Sequence, residues 1–252
     1  VQALFFADGG LLALGCNVWN LGIYPCYLVY PLIYKPLVGN GRTAGRVLVA
    51  SVVSAALALQ LGAFSVVLET HLSGKSELPF GGFLLMMQPI HLAIGIVEGF
   101  VTAGVISYVR SARPELLDGM AASRPLGREV SLTRLLAMFA VLALITGGAF
   151  SWFASTHPDG LEWSIERITG RGELPEATLG IVPLLKELQE KTALLPDYAF
   201  KPSGNEPRKE EESPSWPGID AGTSTAGIVG AAIVLGMILL IGMGIRSFRG
   251  RN

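Results

Sequence analysis

The 252-residue chain is 50% hydrophobic and only 15% charged, with a mean hydropathy of +0.49. Soluble domains carry about 25% charged residues, so the composition excludes an ordinary water-soluble globule and makes the lipid bilayer the first expected partner. A net charge of −1 gives no electrostatic reason to expect nucleic acid, and Cys16 and Cys26, both in apolar sequence, read as small buried hydrophobes and not as a disulfide or metal framework.

In chain order, Val1–Leu14 is apolar but interrupted by Asp8-Gly9-Gly10, too short to span and readable as the end of a helix that starts earlier. Cys16 to Ile33 is apolar and aromatic, with Asn17 and Asn20 near its start and Pro25 and Pro31 inside, and reads as a kinked span. Lys35–Arg46 is a short basic turn, and Val47–Leu68 is a clean span rich in Ala, Val and Leu. A polar loop, Glu69–Gly82, leads into Phe83–Val109, whose length exceeds the about 20 apolar residues needed to cross a bilayer. After the arginine-containing segment Arg110–Arg134 come Leu135–Phe153, the polar stretch Ala154–Gly222 and a final span, Gly227–Ile245. The fold expected is an all-α polytopic membrane bundle with at least five transmembrane helices. Two modules are expected end to end, 1–123 and 124–252, with the boundary near Ser123-Arg124-Pro125.

Charge orders the loops. Lys35–Arg46, Arg110–Arg134 and the tail after Ile245 hold 3, 5 and 3 basic residues, whereas Glu69–Gly82 holds only Lys75. The positive-inside rule then places the basic loops and the C-terminus in the cytoplasm and 154–222 outside, in a cell inner membrane. His71, His91 and His157 all fall on or near the outer face.

That outer segment has 13 acidic and 7 basic residues, a balance that weakly enriches cations. Asp159 is placed to cap a helix, with Glu162 three residues on as in a capping box, and Leu161, Ile165 and Ile168 share its apolar face. Ile181–Leu195 is a second amphipathic stretch, with Ile181, Leu184, Leu185, Leu188 and Leu195 opposite Lys186, Glu187 and Glu190. Both stretches suit the membrane surface or the bundle. Lys201–Pro217, charged and proline-rich, reads as a linker.

The most informative stretch is PIHLAIGIVEGFVTAGVISYV, Pro89–Val109. His91 and Glu98 are two helical turns apart on one face, with Gly95 between them and Thr102 a turn further. An ionisable group at mid-membrane costs about 2.5–3.5 kcal/mol on insertion scales, so such groups face a bundle interior or an aqueous cavity. Two readings stand: substrate contact, or interhelical polar glue beside small residues packed for close helix approach. Imidazole suits Co, Ni, Cu and Zn, but two groups do not complete a site. Asn17 and Asn20, at i and i+3, fit a structural hydrogen-bonding role across helices. His71 reads as solvated, His157 as shaping a helix start, and Asp8 as a cap or turn. There is no GxxxxGK[ST], GxSxG or HExxH, hence no expected enzyme activity in this chain.

The segments FADGGLLALGCNVWNLG, HLAIGIVEGFVTAGV and ARPELL closely resemble the membrane permease of energy-coupling-factor cobalt and nickel importers, from Val1 to about Leu117. HPDGLEW, LLPDYAF and the glycine-rich last span resemble the PDGLE domain, the companion of the same transporters. The resemblance implies capture of Co2+ or Ni2+ as a transported substrate, with no permanently bound cofactor. Release is driven by a separate transmembrane coupling subunit and ATPase subunits. It also implies nitrogen ligands from an N-terminus beginning Met-His and from a histidine in the early helices. Neither lies in this sequence, so the primary ligands fall on no residue here, and a truncated chain is the expectation. His91, Glu98 and Thr102 are then expected near the substrate path, braced by Asn17 and Asn20. The alternative from another class is a non-transporting membrane scaffold whose outer loop docks a partner.

Overall fold

The computed structural model describes residues 1–39, 43–76, 78–112, 132–153, 158–171, 180–200 and 217–249. The expected module boundary at 123–125, His157, and 201–216 of the expected linker lie outside these residues. Every regular element among the described residues is helical, and four helices are long and apolar enough to cross a membrane. Contacts divide the chain into two compact units: Gly15–Val130 with His157–Glu176, and Val1–Leu14 with Ser131–Thr156 and Ala177–Asn252.

The first span, α1, runs Gly10–Val38 and so begins six residues before the expected Cys16. Its start is set by Gly9 and Gly10, both at positive φ (67° and 71°), a conformation that costs glycine little. The expected basic turn correspondingly shrinks, because Lys35–Val38 is the last helical turn. Pro25 and Pro31 lie inside Val18–Tyr34, which is wound as a π-helix; at its end the Lys35 N–H reaches back five residues to the Tyr30 carbonyl. The wider winding accommodates residues that lack an N–H. Cys16 and Cys26 are exposed and not buried as expected, since apolar side chains on a span have no reason to turn away from lipid.

Helix α2 (Ala44–Ser73) starts at Thr43, whose Oγ1 accepts from the Arg46 N–H at 3.4 Å, and stops at Gly74 in the left-handed region (φ 60°). Helix α3 (Phe80–Ala112) returns beside it. A Cβ on Gly95 would lie 2.8 Å from Ala56 Cα, and one on Gly99 would run into Val52 Cα, so the two backbones touch. Gln60 Nε2 donates to the Gln88 carbonyl at 2.8 Å, and Gln88 Nε2 donates back to the Gln60 carbonyl at 3.2 Å. A buried cluster of Ala63, Val67, Leu78, Phe83 and Met87 closes this end of the hairpin.

The segment expected to span as Leu135–Phe153 is helix α4 (Leu132–Leu144), continued by a π-turn (Ile145–Ala149) and a 3-10 turn (Phe150–Phe153). Within it, Ala140–Phe153 is a shorter apolar helix. Helix α5 (Gly160–Thr169) is capped as expected: Asp159 Oδ1 accepts from Leu161 and Glu162 N–H, each at 2.8 Å. Its Leu161, Ile165 and Ile168 pack on the α2–α3 cluster, so this stretch chooses the bundle. Helix α6 (Val182–Thr192) leaves its apolar stripe uncovered.

In the second unit, the last span α7 (Ala221–Arg249) crosses α4's continuation at Gly147 and Gly227. Trp152 Nε1 donates to Ser224 Oγ (2.6 Å), which donates to the Gly148 carbonyl (2.8 Å). Asp220 caps α7 through the Thr223 N–H at 2.6 Å, and that bond, first among its causes, lowers the Asp220 carboxyl pKa.

Candidate functional site

Within the first unit, α1, α2, α3 and the start of α5 enclose an open cavity of ≈ 1480 Å³. All five residues singled out in the sequence, Asn17, Asn20, His91, Glu98 and Thr102, line it. Lys35 and Arg110 line it at one end, and Asp159, Gly160 and Leu161 beside His91 at the other. From His91 to Arg110 is about 28 Å of helix at 1.5 Å per residue. The cavity therefore runs nearly the depth of the bilayer.

His91 is half-buried at the α5 end. Its Nδ1 lies 2.8 Å from the Met87 carbonyl one turn back. A carbonyl only accepts, so Nδ1 carries the proton of that bond and Nε2 is the ring's remaining nitrogen. The imidazole sits directly under the first residue of α5: a Cβ on Gly160 would come 2.9 Å from His91 Cε1 and 3.4 Å from Nε2. Glycine at the start of α5 lets the helix close over the ring. Glu98 and Thr102 follow on the same wall, both exposed to the cavity side of α3.

The sequence reading missed two serines. Asn20, Ser51 and Ser54 are 5%, 2% and 9% exposed, and Asn20 Oδ1, Ser51 Oγ and Ser54 Oγ make no hydrogen bond. The bracing bond expected of Asn20 is thus not made by its carbonyl oxygen; Gln60 and Gln88 provide the polar brace between α2 and α3. Gly62 packs beside Asn20, where a Cβ would come into ordinary contact, 3.5 Å from the Asn20 backbone carbonyl oxygen. The contacts of Gly95 with Ala56 and Gly99 with Val52 set Glu98 at about the height of Ser51 and Ser54. A buried oxygen left without a partner costs about 1–3 kcal/mol, and all three border a space far larger than the about 30 Å³ that one water occupies. Whatever fills the cavity meets an oxygen-lined wall. The only signal in sequence was two serines at i and i+3 in an otherwise apolar span.

The remaining candidates separate from this site. His71 is exposed in the last turn of α2, its ring 5.2 Å from that of Phe80. Among the described residues no group of three or more His, Cys, Asp or Glu is arranged to hold a metal ion. In the second unit, Asp8 receives a hydrogen bond from the Tyr198 hydroxyl, which also accepts from Gln2 Nε2 at 3.2 Å. Burial, then the bond to Asp8, push the Tyr198 phenol up to about 12. The same LLPDYAF segment clamps the chain start, with Leu194 N–H donating to the Phe5 carbonyl at 2.8 Å and the Phe6 ring 5.5 Å from that of Tyr198.

Comparison with known proteins places these residues in context. Residues 1–116 match the cobalt uptake substrate-specific transmembrane region, and residues 133–247 match the PDGLE domain. A putative fused nickel transport protein NikMN of Archaeoglobus fulgidus is 31% identical over 239 residues, covering 94% of this chain and 66% of the relative. The fused nickel transport protein NikMN of Rhodobacter capsulatus is 29% identical over 231 residues, covering 79% of this chain and 62% of that one. The cobalt transport protein CbiM of Sorangium cellulosum is 32% identical over 133 residues, covering 49% and 55%. The chain thus spans between about half and two thirds of the length of these relatives. No solved structure matches it. The chain is a membrane protein that belongs, through residues 1–116, to the cobalt uptake substrate-specific transmembrane family and carries a PDGLE domain over residues 133–247.

Proposed function

We propose that this chain is the substrate-capture membrane component of a cobalt or nickel importer, working with a separate transmembrane coupling subunit and ATPase subunits that hydrolyse ATP. Co2+ or Ni2+ is its transported substrate, and the chain itself carries no catalytic step. Residues 1–123 act as the permease and 124–252 as the accessory module. Residues 154–222 face outward and the C-terminus faces the cytoplasm. The observation that carries this reading is the oxygen-lined cavity that gathers His91, Glu98, Thr102, Asn17 and Asn20 between three membrane helices. The fused nickel relatives and the cobalt relative supply the substrate class.

Within that reading each residue has a task. Glu98 places a carboxylate on the cavity wall, where it offsets the charge of an arriving cation. His91, held by Met87 and roofed by Gly160, presents one ring nitrogen at the end nearest the outer loop. Asn17 and Asn20 put amide groups on the α1 wall opposite.

The test is accumulation of radioactive Co2+ and Ni2+ by cells that express the chain with its coupling and ATPase subunits, with the chain omitted, or with Glu98→Gln. Uptake that requires the chain and falls several-fold in Glu98→Gln supports the proposal. Equal uptake with and without the chain overturns it in favour of a non-transporting scaffold.

A further inference from the structure

Helix α6 carries an apolar stripe that its own unit leaves uncovered: Ile181, Leu184 and Leu188 are 61%, 63% and 48% exposed. At 100° per residue the three fall within about 60° of one another, on a different side from Gln189. Gln189 turns inward. Its Oε1 accepts from the Leu11 N–H at 2.6 Å and its Nε2 donates to the Ala3 carbonyl at 3.2 Å. Leu11 is in the first turn of the membrane span α1. Just past that same C-terminal end of α6, Leu195 is buried against Phe6 and Ala226. Ala226 lies about 7.5 Å along α7 from its first residue, at 1.5 Å per residue. Helix α6 is therefore pinned through its C-terminal end to the opening turns of two membrane spans. A helix held at that height, with an apolar stripe that its own unit leaves bare, has the bilayer surface as its neighbour.

We infer that α6 is an interfacial helix, with Ile181, Leu184 and Leu188 sunk into the boundary between lipid headgroups and acyl chains. Its charges say which lipid property matters. Lys186 and Lys191 balance Glu187 and Glu190, and Lys191 is paired with Glu187 at 2.5 Å. Basic interfacial helices draw on attraction to anionic lipid, whereas a balanced one attaches by apolar burial alone. The helix thereby anchors the start of the LLPDYAF clamp, and with it residues 1–11, at the plane of the membrane.

The full chain, with Cys16→Ser and Cys26→Ser, is reconstituted in phosphatidylcholine vesicles carrying one NBD fluorophore at Leu184→Cys, Leu188→Cys or Glu190→Cys. The first two labels are expected to emit at shorter wavelength and to be quenched several-fold more by doxyl-chain lipid than the third. The pattern is expected to persist when a third of the lipid is phosphatidylglycerol. Three results overturn the inference: iodide quenching equal at all three positions, which means a solvated helix; protection of Leu184→Cys and Leu188→Cys labels from both quenchers, which means a protein cover; and lipid quenching that appears only with phosphatidylglycerol.

Discussion

Replacing Gly99 by alanine tests the close approach of α2 and α3 that shapes the cavity. The new Cβ meets Val52 Cα, the Ser51 carbonyl at 3.1 Å and the Val52 nitrogen at 3.1 Å, all backbone atoms that cannot swing aside. Relief requires the helices to part, and overpacking of this kind costs about 1–3 kcal/mol. Against this, alanine recovers about 0.5–1 kcal/mol of helix propensity. The net expectation is a loss of about 1–2 kcal/mol, which for a chain of this size lowers the melting temperature by about 2–8 °C. Gly104, on the same helix, has nothing within 4 Å of its built Cβ, so Gly104→Ala isolates the propensity gain. Thermal unfolding of the detergent-solubilised variants, followed by intrinsic fluorescence, should rank Gly104→Ala at or above the parent and Gly99→Ala below it. Equal melting of the two variants would refute the packing argument, and with it the placing of Glu98 beside Ser51 and Ser54.

Three further expectations follow from single contacts. Gln88→Met removes one arm of the reciprocal bond with Gln60 and should cost about 0.6 kcal/mol, up to about 1.7, the range found for hydrogen bonds between membrane helices; chemical unfolding in mixed micelles measures it. Asp220→Asn keeps an N-cap but loses the charge that lowers the folded pKa, so its deficit relative to the parent should be complete above the unfolded carboxylate value of about 3.9 and should close as pH falls through the lower folded value. Tyr198, raised to about 12, should ionise well above the ordinary phenol value of about 10 in a 295 nm titration. Its contribution to stability is fully present below the unfolded value of about 10 and is lost as pH rises toward the folded one. Asp8→Asn should bring its ionisation to lower pH, because the neighbouring negative charge disappears while the burial remains.

Much of this molecule was legible in one dimension. A membrane span is selected by length and hydropathy alone, because the bilayer demands about 20 apolar residues whatever the neighbours are. That reasoning located Val47–Leu68 inside α2, Phe83–Val109 inside α3 and Gly227–Ile245 inside α7. Helical periodicity put His91, Glu98 and Thr102 on one wall, and the Asp159 cap followed from a local pattern that needs no tertiary partner. The start of α1 was misplaced because Gly9-Gly10 reads as an interruption, although in space it is a turn that begins a helix. The cysteines were misread because the rule that apolar residues are buried belongs to water-soluble proteins.

What the sequence determined by itself, then, was the class of solvent, the helices and which polar residues share a face, since each depends on spacing within one segment. Only the tertiary structure decided that Gly95 and Gly99 are contact points while Gly104 is open, that Ser51 and Ser54 stand unpaired on a cavity wall, and that α5 lies over His91 while α6 keeps its apolar stripe bare. These depend on which faces meet across segments far apart in the chain. Helix association in a bilayer is governed by local fit and by individual hydrogen bonds, because apolar burial alone does not prefer a neighbouring helix to lipid.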